Sequence, residues 1–239
     1  MTRPARVQRC HIDAVRESSM MNVVFDFGGV LFGWQPQQLV AQAFPDQTRV
    51  PGQAQGLAKA LFGHADWHSF DRGTLPIDAV IDRAAARLGL DHAALSTLVQ
   101  GIGEHLEPAT GVFDVLSQLK QLELAGRAIR LYFLSNMSVP YARTLERKFE
   151  FLQWFDGGIF SGDVKLIKPE PVIYQRLQAR YGLEPGQTVF IDDLLGNVQV
   201  AQALGWQGIH FVSAPQLAAA LSSVGLDGFE RPDLNATAH

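Results

Sequence analysis

The chain has 239 residues, 47% of them hydrophobic and 18% charged, enough apolar material for one large domain or a core carrying an insertion. Its formal net charge of −4 gives no electrostatic footing on nucleic acid or on an anionic membrane, so neither is expected as a partner. Cys10 is the only cysteine, which excludes an intrachain disulfide and a thiolate metal cluster and makes a reducing cytoplasm the expected setting.

Residues 1–20 carry Arg3, Arg6, Arg9 and Arg16 without a continuous apolar run, so a loose extension is expected there rather than a secretory signal. Asn22-Val23-Val24-Phe25 then reads as a strand buried on both faces, as a parallel sheet requires. It ends in Asp26, followed by Gly28 and Gly29, which let the backbone turn sharply. After Phe32 the apolar spacing becomes helical, at Leu39–Phe44, Leu57–Leu61, Ile77–Leu88 and Leu95–Ile102. Four such segments without a strand between them predict a small helical bundle, residues 34–107, inserted after the first strand.

From Pro108 the chain alternates. Predicted strands at Ile129–Leu134, Gly158–Phe160, Thr188–Ile191 and Gly208–Val212 are separated by helices at Val112–Leu122, Val139–Phe149, Pro169–Tyr181 and Gly196–Leu204. A last helix covers Ala214–Ser222. Such alternation calls for an α/β fold, a doubly wound parallel sheet with right-handed crossovers, built from residues 21–33 and 108–226. The polar tail, residues 227–239, is expected to be loose.

Polar groups fall just past the predicted strands or at the start of the following helix. Asp26 ends the first strand, Ser135 and Asn136 the second, and Asp192 and Asp193 follow Val189-Phe190-Ile191, while Lys168 stands directly before Pro169. In a doubly wound sheet these ends share one edge and can converge on one small ligand. Singly, Ser135 reads as a helix cap and Lys168 as a solvated lysine. Adjacent carboxylates at 192 and 193 repel each other, and a bound cation is the natural relief.

In order and spacing, Phe25-Asp26-Phe27-Gly28-Gly29-Val30, Leu134-Ser135-Asn136, Lys168-Pro169-Glu170-Pro171 and Ile191-Asp192-Asp193 with Asn197 resemble the four motifs of the haloacid dehalogenase-like hydrolases. Among these the chain is most similar to phosphatases with a small helical cap, particularly those acting on sugar phosphates such as glucose 1-phosphate. The resemblance implies that Asp26 is a nucleophile forming an aspartyl-phosphate that water then hydrolyses. It implies that Ser135, with the Asn136 amide and the Gly28-Gly29 turn, binds the phosphoryl group. Lys168 would neutralise charge, and Mg²⁺ would be held by Asp26, the Gly28 carbonyl and Asp193, with Asp192 assisting directly or through water. A small phosphorylated metabolite is the implied partner, and the protein a monomer or homodimer.

One position departs from the pattern. Most phosphatases of the family carry a second Asp two residues after the nucleophile, as acid and base; here it is Gly28. A better leaving group, or a donor from the cap, would make good the loss; His64, Asp66, His68 and Asp71 are the candidates. Trp34, Phe62, Trp67 and Phe70 either wall a pocket or fill the cap's own core, and Arg72 either binds a second anionic group or is solvated. Two rivals stand beside the phosphatase. A 2-haloacid dehalogenase would use Asp26 on carbon without metal, but that branch usually has an aromatic residue at the Gly28 position and lacks the acid pair. A receiver-like or weakly catalytic binding protein is the other, though receivers lack the insertion and carry their acid pair first.

Overall fold

The computed structural model describes residues 20–226, so the expectations for the extension before Met20, for Cys10 and for the tail lie outside the described residues. The chain runs through β1 (Met21–Phe25), then five helices in succession: α1 (Pro36–Ala43), α2 (Gln53–Phe62), α3 (Ala65–Asp71), α4 (Ile77–Leu88) and α5 (His92–His105). It continues as α6 (Thr110–Leu124), β2 (Ile129–Ser135), α7 (Val139–Lys148), β3 (Gly157–Phe160), α8 (Ser161–Val164) and α9 (Pro171–Tyr181). It closes with β4 (Thr188–Asp192), α10 (Leu195–Ala203), β5 (Gln207–His210) and α11 (Ala214–Ser223).

The five strands form one sheet in the order β3-β2-β1-β4-β5, and every pair is parallel. The apolar run of β1 needs cover on both faces and receives it, because alternate residues point to opposite layers. Val23, Phe25, Leu131, Val189 and Ile191 pack with Val115, Leu145 and Leu217 from α6, α7 and α11. Val24, Tyr132, Leu134 and Phe190 face Ile173, Tyr174 and Leu177 of α9 and Trp206 before β5. The order reverses at β1, where the chain leaves toward β2 and β3 and returns to β4, and such a switch point opens a crevice at the strands' carboxyl ends.

The helical insertion leaves and rejoins the core through two crossings that pair with each other. Gly33 N–H donates to Glu107 O at 2.9 Å and Ala109 N–H to Leu31 O at 2.9 Å, with Phe32 opposite Pro108. The insertion has one helix more than its apolar spacing suggests: α3 is short, its buried face is two aromatics, Trp67 and Phe70, and His64 caps it by accepting from Asp66 N–H at 3.1 Å. Among the described residues no helix is long and apolar enough to cross a membrane.

Candidate active site

Four segments meet at the carboxyl edge of the sheet. Asp26 is the first residue past β1, its N–H bonded to Ile191 O of β4 at 2.9 Å. Behind it, the aromatic rings of Phe27, Phe133 and Phe160 pack with centroids 4.5–5.4 Å apart. Gly158 makes this packing possible, since a Cβ there would stand 2.4 Å from the Phe133 ring. The loop carrying the carboxylate is therefore seated on a rigid aromatic layer.

Lys168 reaches this edge from the loop before α9. The spacing predicts a helix from Pro169, but α9 starts at Pro171. Glu170, held extended (ψ 126°) because it precedes a proline, cannot be helical, so Pro171 takes the first helical position. Lys168 thus sits on a loop pinned by Asn136, whose side chain accepts from Lys168 N–H at 2.8 Å and donates to Lys168 O at 3.0 Å. The buried ammonium lies 2.8 Å from Asp26 Oδ1 and 2.7 Å from Asp192 Oδ2. Asp192 is fully enclosed: Oδ1 accepts from Leu194 N–H and Asn197 Nδ2, and Oδ2 from Lys168 and the same Asn197 amide.

Charge is out of balance here. Asp26, Asp192 and Asp193 present oxygens all within 4.8 Å of one another against the single ammonium of Lys168. Burial first, then the charges of Asp192 and Asp193, push the Asp26 carboxyl up to about 7 despite Lys168. Burial and Asp192 raise Asp193 as well. Burial pulls the Lys168 ammonium down, yet Asp26 and Asp192 outweigh it and the net shift is upward. An all-oxygen, net-negative cluster of this kind suits a hard divalent cation such as Mg²⁺. Gly29 belongs to the same design: its φ is +81°, and a Cβ there would stand 2.6 Å from Asp193 Oδ2. Ser135, the last residue of β2, has its Oγ buried with no hydrogen-bond partner among the described residues, an unsatisfied donor at the same end of the sheet.

The pocket above, of about 250 Å³, is lined on the core side by Asp26, Gly28, Asn136, Met137, Lys168, Asp193 and Asn197. From the insertion come Trp34, Phe62, Trp67, His68, Asp71, Ile102 and Leu106, with Tyr141 of α7 between the two sides.

A family model for haloacid dehalogenase-like hydrolases matches residues 20–205, all four of these segments included. The chain belongs to the haloacid dehalogenase-like hydrolases. This hydrolase is 26% identical to a sesquiterpene phosphatase of Aspergillus oryzae over 80% of the chain and 89% of that relative. Its fold matches a family enzyme of Bacteroides thetaiotaomicron solved with magnesium and inorganic phosphate, at a TM-score of 0.61 and 21% identity over 80% of this chain and 93% of that one. It also matches L-2-haloacid dehalogenase of Xanthobacter autotrophicus at a TM-score of 0.56, 21% identity, over 87% and 85% of the two chains.

Within this hydrolase the sequence-derived site residues converge, with refinements. Lys168, Asp26 and Asp192 form one ion-paired group, and the Asn136 side chain is committed to the Lys168 backbone. Of the aromatics, Trp34, Phe62 and Trp67 reach the pocket, whereas Phe70 is buried outside its lining. Of the four candidate donors, His64 is spent on capping and Asp66 pairs with Arg83, leaving His68 and Asp71 at the pocket. Arg72, partly exposed, does not line the pocket: it forks onto Glu170, the residue two past Lys168. Tyr141 and Ser161 were missed. Ser161 Oγ accepts from Met137 N–H at 2.8 Å and donates to Asp71 O at 2.6 Å. Its place just past β3 is the strand-end signal that singled out the others, and it carries no charge to draw notice.

Proposed function

We propose that this hydrolase is a Mg²⁺-dependent phosphatase that cleaves small phosphate monoesters through an aspartyl-phosphate on Asp26, with residues 34–107 as a helical cap over the site. The observation that carries the reading is the charge imbalance at the sheet edge, where three carboxylates face one buried ammonium. Carbon chemistry at Asp26 has no use for a net-negative cluster; a phosphoryl dianion cannot approach a carboxylate without cations to offset the repulsion. The likeness to the sesquiterpene phosphatase of A. oryzae and to the B. thetaiotaomicron enzyme bound to magnesium and phosphate agrees with it.

Asp26 Oδ1 already accepts from Lys168 and from Phe27 N–H, which leaves Oδ2 as the attacking atom. Lys168 works against the burial that favours a proton on Asp26 and meets the charge that builds on the phosphoryl oxygens. Ser135 Oγ gains its missing partner in one of those oxygens. Mg²⁺ would be held by Asp26, the Gly28 carbonyl and Asp193 and would neutralise the substrate's charge. Asp192, its oxygens already filled, acts by orienting Lys168 and Asn197 and would reach the ion only through water.

The pocket wall speaks to the organic group. Trp34, Phe62, Trp67, Ile102, Leu106 and Met137 offer apolar surface. A sugar would need a polar partner for each hydroxyl it buries. An ester with an apolar organic part therefore suits this wall better than the sugar phosphates suggested by the resemblance, in line with the sesquiterpene phosphatase's name. Purified protein is to be assayed on a panel of alkyl, prenyl, nucleotide and sugar phosphates, with and without Mg²⁺, beside Asp26→Asn. Phosphate release that needs Mg²⁺ and falls at least about 10³-fold in the variant is expected. Equal activity of the two proteins would refute the mechanism, and chloride release from 2-chloropropionate without metal would select the dehalogenase.

A further inference from the structure

We propose that Asp71, at the end of α3, is the catalytic acid and base that the core lacks, an assignment resting on the phosphatase reading. In the first half-reaction Asp26 Oδ2 bonds to phosphorus, the phosphorus–ester oxygen bond breaks, and that oxygen takes the Asp71 proton to leave as an alcohol. In the second, water attacks phosphorus, gives a proton to the Asp71 carboxylate, and the bond to Asp26 breaks with its electron pair returning to Oδ2. Phosphate is released, and Asp71 again carries its proton.

Elimination among the pocket's titratable groups leads here. Asp26 is the nucleophile, Asp193 belongs to the cation cluster, and Lys168 is locked between two carboxylates. The Tyr141 hydroxyl is committed to Val99 O at 2.5 Å. His68 is exposed, on the rim. Beside the nucleophile, Gly28 offers no group at all, and a Cβ built there would have nothing within 4 Å. The proton has to come from the facing wall, where Asp71 is what remains.

Asp71 is held as a positioned group must be. Its carbonyl accepts from Ser161 Oγ at 2.6 Å, and two residues on, Gly73 O accepts from Lys165 Nζ at 2.7 Å. Between them Arg72 forks onto Glu170. The anchors, residues 161, 165 and 170, lie on the stretch that carries Lys168, so the carboxyl of Asp71 is indexed to the catalytic ammonium. Gly73 lets the two sides meet: its φ is +75°, and a Cβ would stand 2.5 Å from Gly162 O.

The surroundings keep a proton on it. Burial drives its carboxyl well above the usual carboxylate range, offset in part by a hydrogen bond from Trp67. The end of a helix is also a poor place for an anion. On its own element, His68 faces the rim and Arg72 is spent on Glu170; from α7 it meets Tyr141, and across the pocket stand Asp26, Lys168 and Asp193. No cation pairs with Asp71 among the described residues.

The test compares hexyl phosphate, whose alkoxide needs a proton to leave, with p-nitrophenyl phosphate, whose phenolate does not. In a single turnover, Asp71→Asn and Asp71→Ser should each slow the release of hexanol from hexyl phosphate about 10²-fold or more while holding the burst of p-nitrophenolate from p-nitrophenyl phosphate within about threefold, because only the first half-reaction tells the two esters apart. Gly28→Asp in the Asp71→Asn background, filling the open space at 28, should recover hexyl phosphate turnover. The aryl ester doubles as a control for folding. Equal losses on both esters with an unchanged melting temperature, or no loss on either, would overturn the role of Asp71 alone. A wild-type protein that hydrolyses neither ester with Mg²⁺ present would instead overturn the phosphatase reading.

Discussion

At the carboxyl edge of the sheet, side chains are fixed by charge; in the facing insertion they are fixed by rings. Lys168 bridges Asp26 and Asp192 within 2.8 Å, and Asn197 and Asn136 hold each end of that bridge. Opposite, Trp34, Phe62, Trp67 and Phe70 form a chain of edge-on contacts that ends on Tyr141 of α7, with centroids 4.7–5.5 Å apart. Edge-on ring pairs are worth about 0.5–1.5 kcal/mol each and tolerate a change of partner. A buried ion pair does not, because the survivor is left charged in a dry site. The sheet edge is therefore suited to one chemistry, and the insertion to a choice of organic group.

The hardest blow to that contrast is Lys168→Met. The ammonium is almost wholly buried, and its loss leaves Asp26 and Asp192 facing each other uncompensated. We expect phosphatase activity to fall below detection and stability in EDTA to drop by about 3–5 kcal/mol. Urea titration checks this, and Mg²⁺ should restore part of the loss. A change within about 1 kcal/mol would mean that the carboxylates shed their charge without help.

Gly29→Ala acts on the same edge through the backbone. Its φ of +81° strains any side chain, and the new methyl would collide with the Asp193 carboxylate. A stability cost of about 1–3 kcal/mol is expected from the strain, together with a rise of at least tenfold, about 1.4 kcal/mol, in the Mg²⁺ concentration for half-maximal activity. Unaltered Mg²⁺ dependence would show that Asp193 is not where the ion is held.

How much of this was legible in the residues follows the same division. Strand ends could be read because a buried parallel strand is a continuous apolar run, and a polar group at its end stands out. Asp26, Ser135 and the pair at 192 and 193 were found that way. That Asn136 also holds Lys168 could not be foreseen, because a side chain pinning a loop 32 residues away leaves no local signature. The insertion was legible only as helices. Apolar residues facing a pocket and those filling a core have the same 3.6-residue spacing, so nothing separated Trp67 from Phe70. Likewise α3 is too short for its period to register, and the partner of Arg72, Glu170, lies across the interface between the insertion and the core.

A gentler probe of the sheet edge is pH in the absence of metal. Asp26 binds its proton more tightly folded, at about 7, than unfolded, near the ordinary 3.8 of an aspartate. The folded state therefore loses stability as pH rises between those values, and above them the penalty is constant. Asp26→Asn carries no such charge. In EDTA the variant should match wild type near about pH 4 and exceed it near about pH 8, read as urea midpoints. Parallel curves would show that Lys168 alone balances the cluster.

The smallest effect belongs to the ion pair that joins the two regions. Arg72 and Glu170 are each about a third or more exposed, with side-chain exposures of 30% and 42%. Water screens such a pair, so Arg72→Ala should cost no more than about 1 kcal/mol of stability. Its consequence should fall on catalysis, because Arg72 follows Asp71 directly while Glu170 stands two residues from Lys168. Loosening that joint would leave the pocket wall intact and let the insertion drift against the sheet edge. The expectation is a melting temperature close to wild type, an unchanged KM for hexyl phosphate and a severalfold lower kcat, relieved by Arg72→Lys. An equal loss with Arg72→Lys would show that the forked geometry is required; no loss with Arg72→Ala would show that Ser161 and Lys165 suffice to hold the two regions together.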